Sequence, residues 1–348
     1  MDLPESPFYL FGMCGRRKLL YRSGRLLDAF SGEALASWDV ISESIQPAQY
    51  RVWLRTRGHG EAAIVEDEEG VWLEESGGRS CLTAGRVNLP AFAGHPHEPV
   101  LRAAHQEVLI NIVAGRPVPN LLAYPRPWYR DAAMMAMCLE RTGNLHLIAD
   151  WVRSLRECFD RNNAGVCEAD NLGQVLYLIS LVSGRHHPLV TKVLKTVPRF
   201  RRGRHVVGLT DSAEHAVYQT KWLKFGLRAL GLDDPYEIPA EFDSYSALFW
   251  MDYRQAHVPG EPFGQQSKDN YPYLGWAEAH FHGRPPPAPV DPRRYPLTWE
   301  AHASQARYER MGIISDEHVR RRIAAPHAWH AAEIFLYYCG CHARAVFA

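Results

Sequence analysis

Charge of one sign is what this sequence most lacks. The 39 Lys and Arg residues are balanced by 39 Asp and Glu, giving a formal net charge of zero over 348 residues. A general nucleic-acid binder needs a basic surplus to meet phosphates, so nucleic acid is not expected as a partner. The local exception is the short basic run Arg201, Arg202, Arg204. Long apolar runs are also missing. None approaches the roughly 18–20 residues that span a bilayer, so no membrane partner is expected. The opening Met-Asp-Leu-Pro-Glu-Ser has no basic stretch followed by an apolar one, and no secretory leader is read there. Cysteine is sparse: 7 residues, an odd number without framework spacing, which fits reduced thiols and a cytoplasmic location. No glycine-rich phosphate loop stands out, because Ser183-Gly184-Arg185 lacks the strand-to-helix context. Cys339-Gly340-Cys341-His342 matches no zinc spacing and has no second ligand pair, so neither metal nor cofactor is expected.

What is present is the composition of a globular protein, 46% hydrophobic and 22% charged. The length accommodates one large domain or a large one with a small companion. Two textures divide it. Residues 1–92 alternate short apolar stretches with glycine-bearing and charged turns. Phe8 to Met13, Tyr50 to Leu54, Ala62 to Val65 and Val71 to Leu73 read as strands of a small antiparallel β domain, with turns at Arg57-Gly58-His59-Gly60 and Glu69-Gly70. Asn88-Leu89-Pro90 and Gly94-His95-Pro96 mark its end.

From residue 93 to 348 the period becomes helical. Leu101, Ala104, Val108, Leu109 and Ile112 recur at helical spacing, and Gly115 with Pro117 ends that helix. Asp131 to Leu139 and Leu172 to Val182 are apolar nearly all round, which predicts buried helices. Between them, Ile148, Trp151, Val152, Leu155 and Phe159 form a single apolar stripe, the mark of a surface helix. Leu189 to Val197, Asp211 to Leu230, Ser244 to Tyr253, Tyr273 to His280, Trp299 to Arg310 and Ala328 to Tyr338 complete a set of about ten to twelve helices. Buried and surface helices in alternation predict two concentric rings.

The apolar helices tend to begin with polar and aromatic clusters: Trp128-Tyr129-Arg130-Asp131, Glu168-Ala169-Asp170-Asn171, Asp211 to His215, Asn270-Tyr271, Trp299-Glu300 and His327-Ala328-Trp329-His330. Helix capping alone accounts for any single Asp among them. Capping does not require the neighbouring Trp, Tyr, His and Arg. Such side chains, gathered at one end of a ring, suit a pocket for carbohydrate: carboxylates and a guanidinium for hydroxyls, rings for the apolar sugar face.

Tyr124 to Ala133, with its Trp-Tyr-Arg-Asp core, resembles the Trp-x-Arg-Asp segment of glucoamylase-like enzymes, and Glu168 to Leu176 is similar to their second inner-helix start. Both point to the six-hairpin, (α/α)6 glycosidase-like superfamily. The resemblance implies a mainly α fold, an (α/α)6 toroid preceded by the small antiparallel β region, and an inverting glycoside hydrolase. It implies that the acid is Asp211 or Glu214 and the base Glu300, or else Glu333. Substrate contacts fall to Trp128, Tyr129, Arg130, Asp131, Glu168, Asp170, Asn171, His215, Tyr271, Trp299, His327 and Trp329. Inversion requires the two carboxyl groups to stand roughly 6.5–9.5 Å apart. Two alternatives stay open: a sugar epimerase or unsaturated-uronide hydrolase using His215, His302, His327 or His330 for proton transfer, and a non-catalytic carbohydrate-binding toroid. An exposed edge of the N-terminal sheet leaves homo-oligomerisation open.

Overall fold

The computed structural model describes residues 7–58, 60–239, 264–265, 295–298, 300–303 and 305–346, with side chains to residue 339. The expected helices Ser244 to Tyr253 and Tyr273 to His280, and the candidate residues Tyr271 and Trp299, lie outside the described residues.

The chain begins with nine strands. Strands β1 (Phe8–Phe11), β2 (Leu19–Arg22), β3 (Arg25–Asp28) and β4 (Ala34–Ser37) form one antiparallel sheet in sequence order. Strands β5 (Val40–Gln46), β6 (Arg51–Thr56), β7 (Gly60–Glu66), β8 (Gly70–Glu75) and β9 (Gly78–Ala84) form a second. Every neighbour is a hairpin partner, so the register is fixed locally; Val52, for example, lies opposite Ile64. One apolar cluster draws on both sheets: Tyr9, Phe11, Leu20 and Leu26 from the first, Val52, Leu54, Ile64 and Val71 from the second.

Helix α1 (Glu98–Ile110) follows, then a minimal hairpin of β10 (Ile112–Val113) and β11 (Arg116–Pro117) turning through Ala114 and Gly115, both at positive φ. Next come α2 (Tyr129–Arg141), α3 (Ala149–Arg153), α4 (Asn171–Val182) and α5 (Pro188–Thr196). Two further two-residue hairpins, β12 (Arg201–Arg202) with β13 (His205–Val206) and β14 (Leu209–Thr210) with β15 (Ala213–Glu214), precede α6 (Ala216–Ala229). The last elements are β16 (Glu300–Ala301), α7 (Asp316–Arg321), β17 (Ile323–Ala324) and α8 (Ala328–Val346).

The expected mainly α toroid is corrected by this architecture. Helix makes up 36% and strand 24%, with several separate sheets. Stretches read as helix are something else. The striped segment from Ile148 to Phe159 is helical only over Ala149–Arg153, and Leu155 to Asp160 is irregular. The head of the long helix expected from Asp211 is the β14–β15 hairpin. The segment expected as a helix from Trp299 opens on strand β16. Apolar spacing over one or two turns is shared by helices and by irregular chain that covers a core, and here tertiary packing decided.

The chain falls into two compact units. Unit 1 takes Met1–Pro125, Met137–Leu147 and Val290–Ala348; unit 2 takes Arg126–Ala136 and Ile148–Pro289. Within unit 1, α8 packs along α1. Within unit 2, α4 and α6 lie against each other at backbone contact. A Cβ added to Gly173 would collide with the backbone of Trp222 and Leu223, and one added to Gly226 with the carbonyl of Gly173. Among the described residues no helix is long and apolar enough to cross a membrane.

Candidate functional site

Unit 2 assembles a polar cluster around one guanidinium. Arg130 sits in the first turn of α2, and its side chain is only 6% exposed. It faces three carboxylates. Asp211 lies at 3.1 Å, Asp170 at 3.6 Å and Glu168 at 3.7 Å. The half-buried ring of Trp128 covers it, with the guanidinium carbon 5.4 Å from the ring centroid.

Each carboxylate is held by a different device. Asp170 stands at the N-cap of α4 but caps nothing with its side chain. Instead the Thr210 hydroxyl and the Gln174 amide donate to it, both at 2.7 Å. Burial pushes its carboxyl up to about 7; Arg130 opposes that rise and Glu168 adds to it. Glu168 accepts from the backbone N–H of Asp211 at 2.7 Å and from the Asn163 amide at 3.1 Å. Asp211 occupies the tip of the β14–β15 hairpin, where it and Ser212 both adopt positive φ. Asp suits such a turn but no glycine follows it, and the apolar residues that come after read as a helix. The Asp211 side chain is 42% exposed and also accepts from Asn163, at 3.2 Å.

The neighbouring candidates serve the frame. The backbone N–H of Tyr129 donates to Asp160 at 2.7 Å, so Asp160 satisfies the start of α2 from a distant loop. The Tyr129 hydroxyl donates to the Glu157 carbonyl at 3.0 Å. Asn171 donates to Gln174 at 3.1 Å and accepts from the Asp160 N–H at 3.2 Å. Asp131 is buried in the first turn of α2, and His215 is half-buried just before α6. Glu214 is 53% exposed and paired with Arg202 at 3.2 Å. Asn163, Thr210 and Gln174 belong to the cluster and were not among the sequence candidates. Asn163 sits in a glycine-bearing loop, and the other two are polar residues of no distinctive motif.

The other candidates lie in unit 1. Glu300 on β16 has its carboxylate 2.9 Å from Nε2 of His327 and 3.9 Å from Nε2 of His330. Trp329 is half-buried, with its ring 5.2 Å from that of His330. His302 is exposed, and Glu333 is buried within α8.

No protein-family model matches the chain, and no curated protein or solved structure matches it.

Proposed function

We propose that the protein is a glycoside hydrolase whose sugar is held in unit 2 by Trp128, Arg130, Asn163, Glu168 and Asp211. The observation that carries this reading is the buried guanidinium of Arg130, set between the Trp128 ring and three carboxylates, with one carboxylate at the surface. The Trp128 ring offers an apolar sugar face a stacking surface. Asp211 and Asn163 offer an acceptor and a donor to hydroxyls. Arg130 keeps the carboxylates oriented without a loose side chain of its own.

The pair assigned here is Glu168 with Asp211, rather than Asp211 or Glu214 with Glu300 as the resemblance implied, and its spacing favours a retaining mechanism. Glu168 and Asp211 accept from the same Asn163 nitrogen, at 3.1 and 3.2 Å. Two oxygens so placed stand closer than the roughly 6.5–9.5 Å of an inverting pair and nearer the ~5–5.5 Å of a retaining one. In the retaining form Asp211, the exposed member, attacks the anomeric carbon as the glycosidic C–O bond breaks and Glu168 protonates the leaving oxygen; water, deprotonated by Glu168, then hydrolyses the glycosyl–Asp211 ester. A second reading is binding without hydrolysis. It is favoured by Glu168 accepting two N–H bonds, which suits a fixed carboxylate better than a proton donor.

The test is a panel of aryl glycosides with the unmutated chain, Asp211→Asn and Trp128→Ala. Retaining hydrolysis, followed by NMR of the first-formed anomer, should be lost by about 100-fold or more in Asp211→Asn. Sugar binding that depends on Trp128 with no hydrolysis establishes the second reading. Neither binding nor turnover on the panel overturns both, and inversion of configuration overturns the assignment of the pair.

A further inference from the structure

We propose that Glu300, His327 and His330 of unit 1 bind one divalent transition-metal ion of the zinc class. The β16–β17 pairing sets Glu300 opposite Ala324, and the chain then runs through Ala325 and Pro326 to His327 at the head of α8. His330 follows at i+3, on the same face of the first turn. Three side chains from two short segments are thereby aimed at one point.

The carboxylate oxygen of Glu300 lies 2.9 Å from one Nε2 and 3.9 Å from the other, and the three donor atoms are all within 4.8 Å of one another. Ligand atoms of a tetrahedral zinc ion, at bonds of roughly 2.0–2.1 Å, stand about 3.3 Å apart. The two carboxylate–imidazole distances straddle that value. Although His327 is at ion-pair distance, that Glu300 oxygen accepts no hydrogen bond among the described residues. A carboxylate oxygen in such surroundings is better satisfied by a cation.

The donor set fits the zinc class. Two imidazole nitrogens and one carboxylate oxygen suit zinc, and are poorly matched to calcium or magnesium, which favour oxygen ligands. Both histidines are buried. The frame behind the ligands is fixed. The backbone N–H of His327 donates to the Thr298 hydroxyl at 2.8 Å, and that hydroxyl donates to buried Glu107 at 2.9 Å. The Tyr124 ring meets the His327 ring edge-on at 6.0 Å. Glu300 remains 20% exposed, which leaves an open side. Three protein donors with an open fourth position is the arrangement of hydrolytic rather than structural zinc.

The test uses the full chain stripped by a chelator and titrated with Zn²⁺ alone against a chromophoric chelator, with Co²⁺ as a spectroscopic probe. One equivalent should bind, with affinity reduced by at least about 10-fold in Glu300→Gln and in His330→Asn, and unchanged in His302→Gln. Zn²⁺ should raise the thermal midpoint of the unmutated chain but not of Glu300→Gln. Circular dichroism identifies any variant that fails to fold. For that case the Co²⁺ spectrum of the unmutated chain decides, since nitrogen and oxygen ligation lacks the intense thiolate charge-transfer band. Absence of stoichiometric binding, a thiolate band, or equal binding by folded Glu300→Gln and His330→Asn overturns the proposal.

Discussion

Replacing Glu107 by Gln should make the chain less stable in acid and more stable in base. Glu107 is fully buried in α1, where it accepts from the Leu297 N–H and from the Thr298 hydroxyl. Burial pushes its carboxyl up to about 8, against 4.5 when unperturbed; hydrogen bonds from Leu297 and from the side chain and backbone of Thr298 oppose the rise without cancelling it. Between those values the folded state keeps a proton that the unfolded state has lost. Folded protons then exceed unfolded ones, so stability falls as pH rises through this window and levels off above it. At about 1.4 kcal/mol per unit, a rise of about 3.5 units is worth on the order of 5 kcal/mol. Gln cannot titrate. Its carbonyl keeps the Leu297 bond, and its amide can donate to the Thr298 oxygen, which already accepts from His327. The Thr298 hydroxyl hydrogen then loses its acceptor, at a cost of about 1 kcal/mol. The variant should therefore be about 1 kcal/mol less stable near pH 4.5 and about 4 kcal/mol more stable above pH 8. Urea unfolding in chelator-treated buffer, across this range, measures the difference between the two chains. A constant offset at all pH values would refute the reasoning.

The comparison must be a difference, because Lys18 runs the other way. It is buried with its ammonium donating to the carbonyls of Gly12, Cys14 and Ile112, and burial pushes it down to about 7 from 10.5. The folded state then binds fewer protons than the unfolded one, so stability rises between about pH 7 and 10.5. Lys18→Met should remove that rise and, by leaving carbonyls without the two N–H donors that the neutral amine keeps at pH 8, cost about 2–4 kcal/mol at that pH in the same urea assay. Gly173→Ala should lose about 3 kcal/mol or more despite its helix-favouring side chain, because its Cβ would meet backbone rather than a movable group; a thermal melt that matches the unmutated chain would contradict this. Glu214→Gln should shift stability by no more than about 0.5 kcal/mol, since it and Arg202 form an exposed pair; chemical denaturation checks it.

The sequence was most legible where one local signal sufficed. Leu172 to Val182 reads as a buried helix and is α4, Asn171–Val182; Leu189 to Val197 is α5, Pro188–Thr196. Strands β6, β7 and β8 show in their apolar stretches. Strand β9, Gly-Arg-Ser-Cys-Leu-Thr-Ala, does not, because no residue in it is buried and its place comes from pairing with β8. Strands β2 and β3 pair through adjacent apolar residues with no alternation to mark them. The site follows the same division. Arg130, Glu168, Asp170 and Asp211 could be named as parts of one cluster because each opens a recognisable segment. The reason Asp211 reaches Arg130 is a hairpin tip of Asp and Ser, turn residues without the glycine that usually marks such a hairpin. Glu300 is named as a base from the family resemblance, yet the structure sets it beside His327 through a strand pairing with Ala324 that no local pattern announces.

The contact between Gly173 and Gly226 has a bearing on how α4 and α6 respond to strain. Two helices that meet through side chains can slip along one another by exchanging rotamers. Where an α-carbon rests on a carbonyl, no rotamer exists to exchange. The pair therefore moves as one body, like a bolt seated in its strike plate, and Asp170 at one end of α4 keeps its phase against Tyr218 in the first turn of α6. Thermal motion that reaches the carboxylate cluster then enters through α2, which carries Arg130, and through the segments that carry Asn163, Glu168 and Asp211.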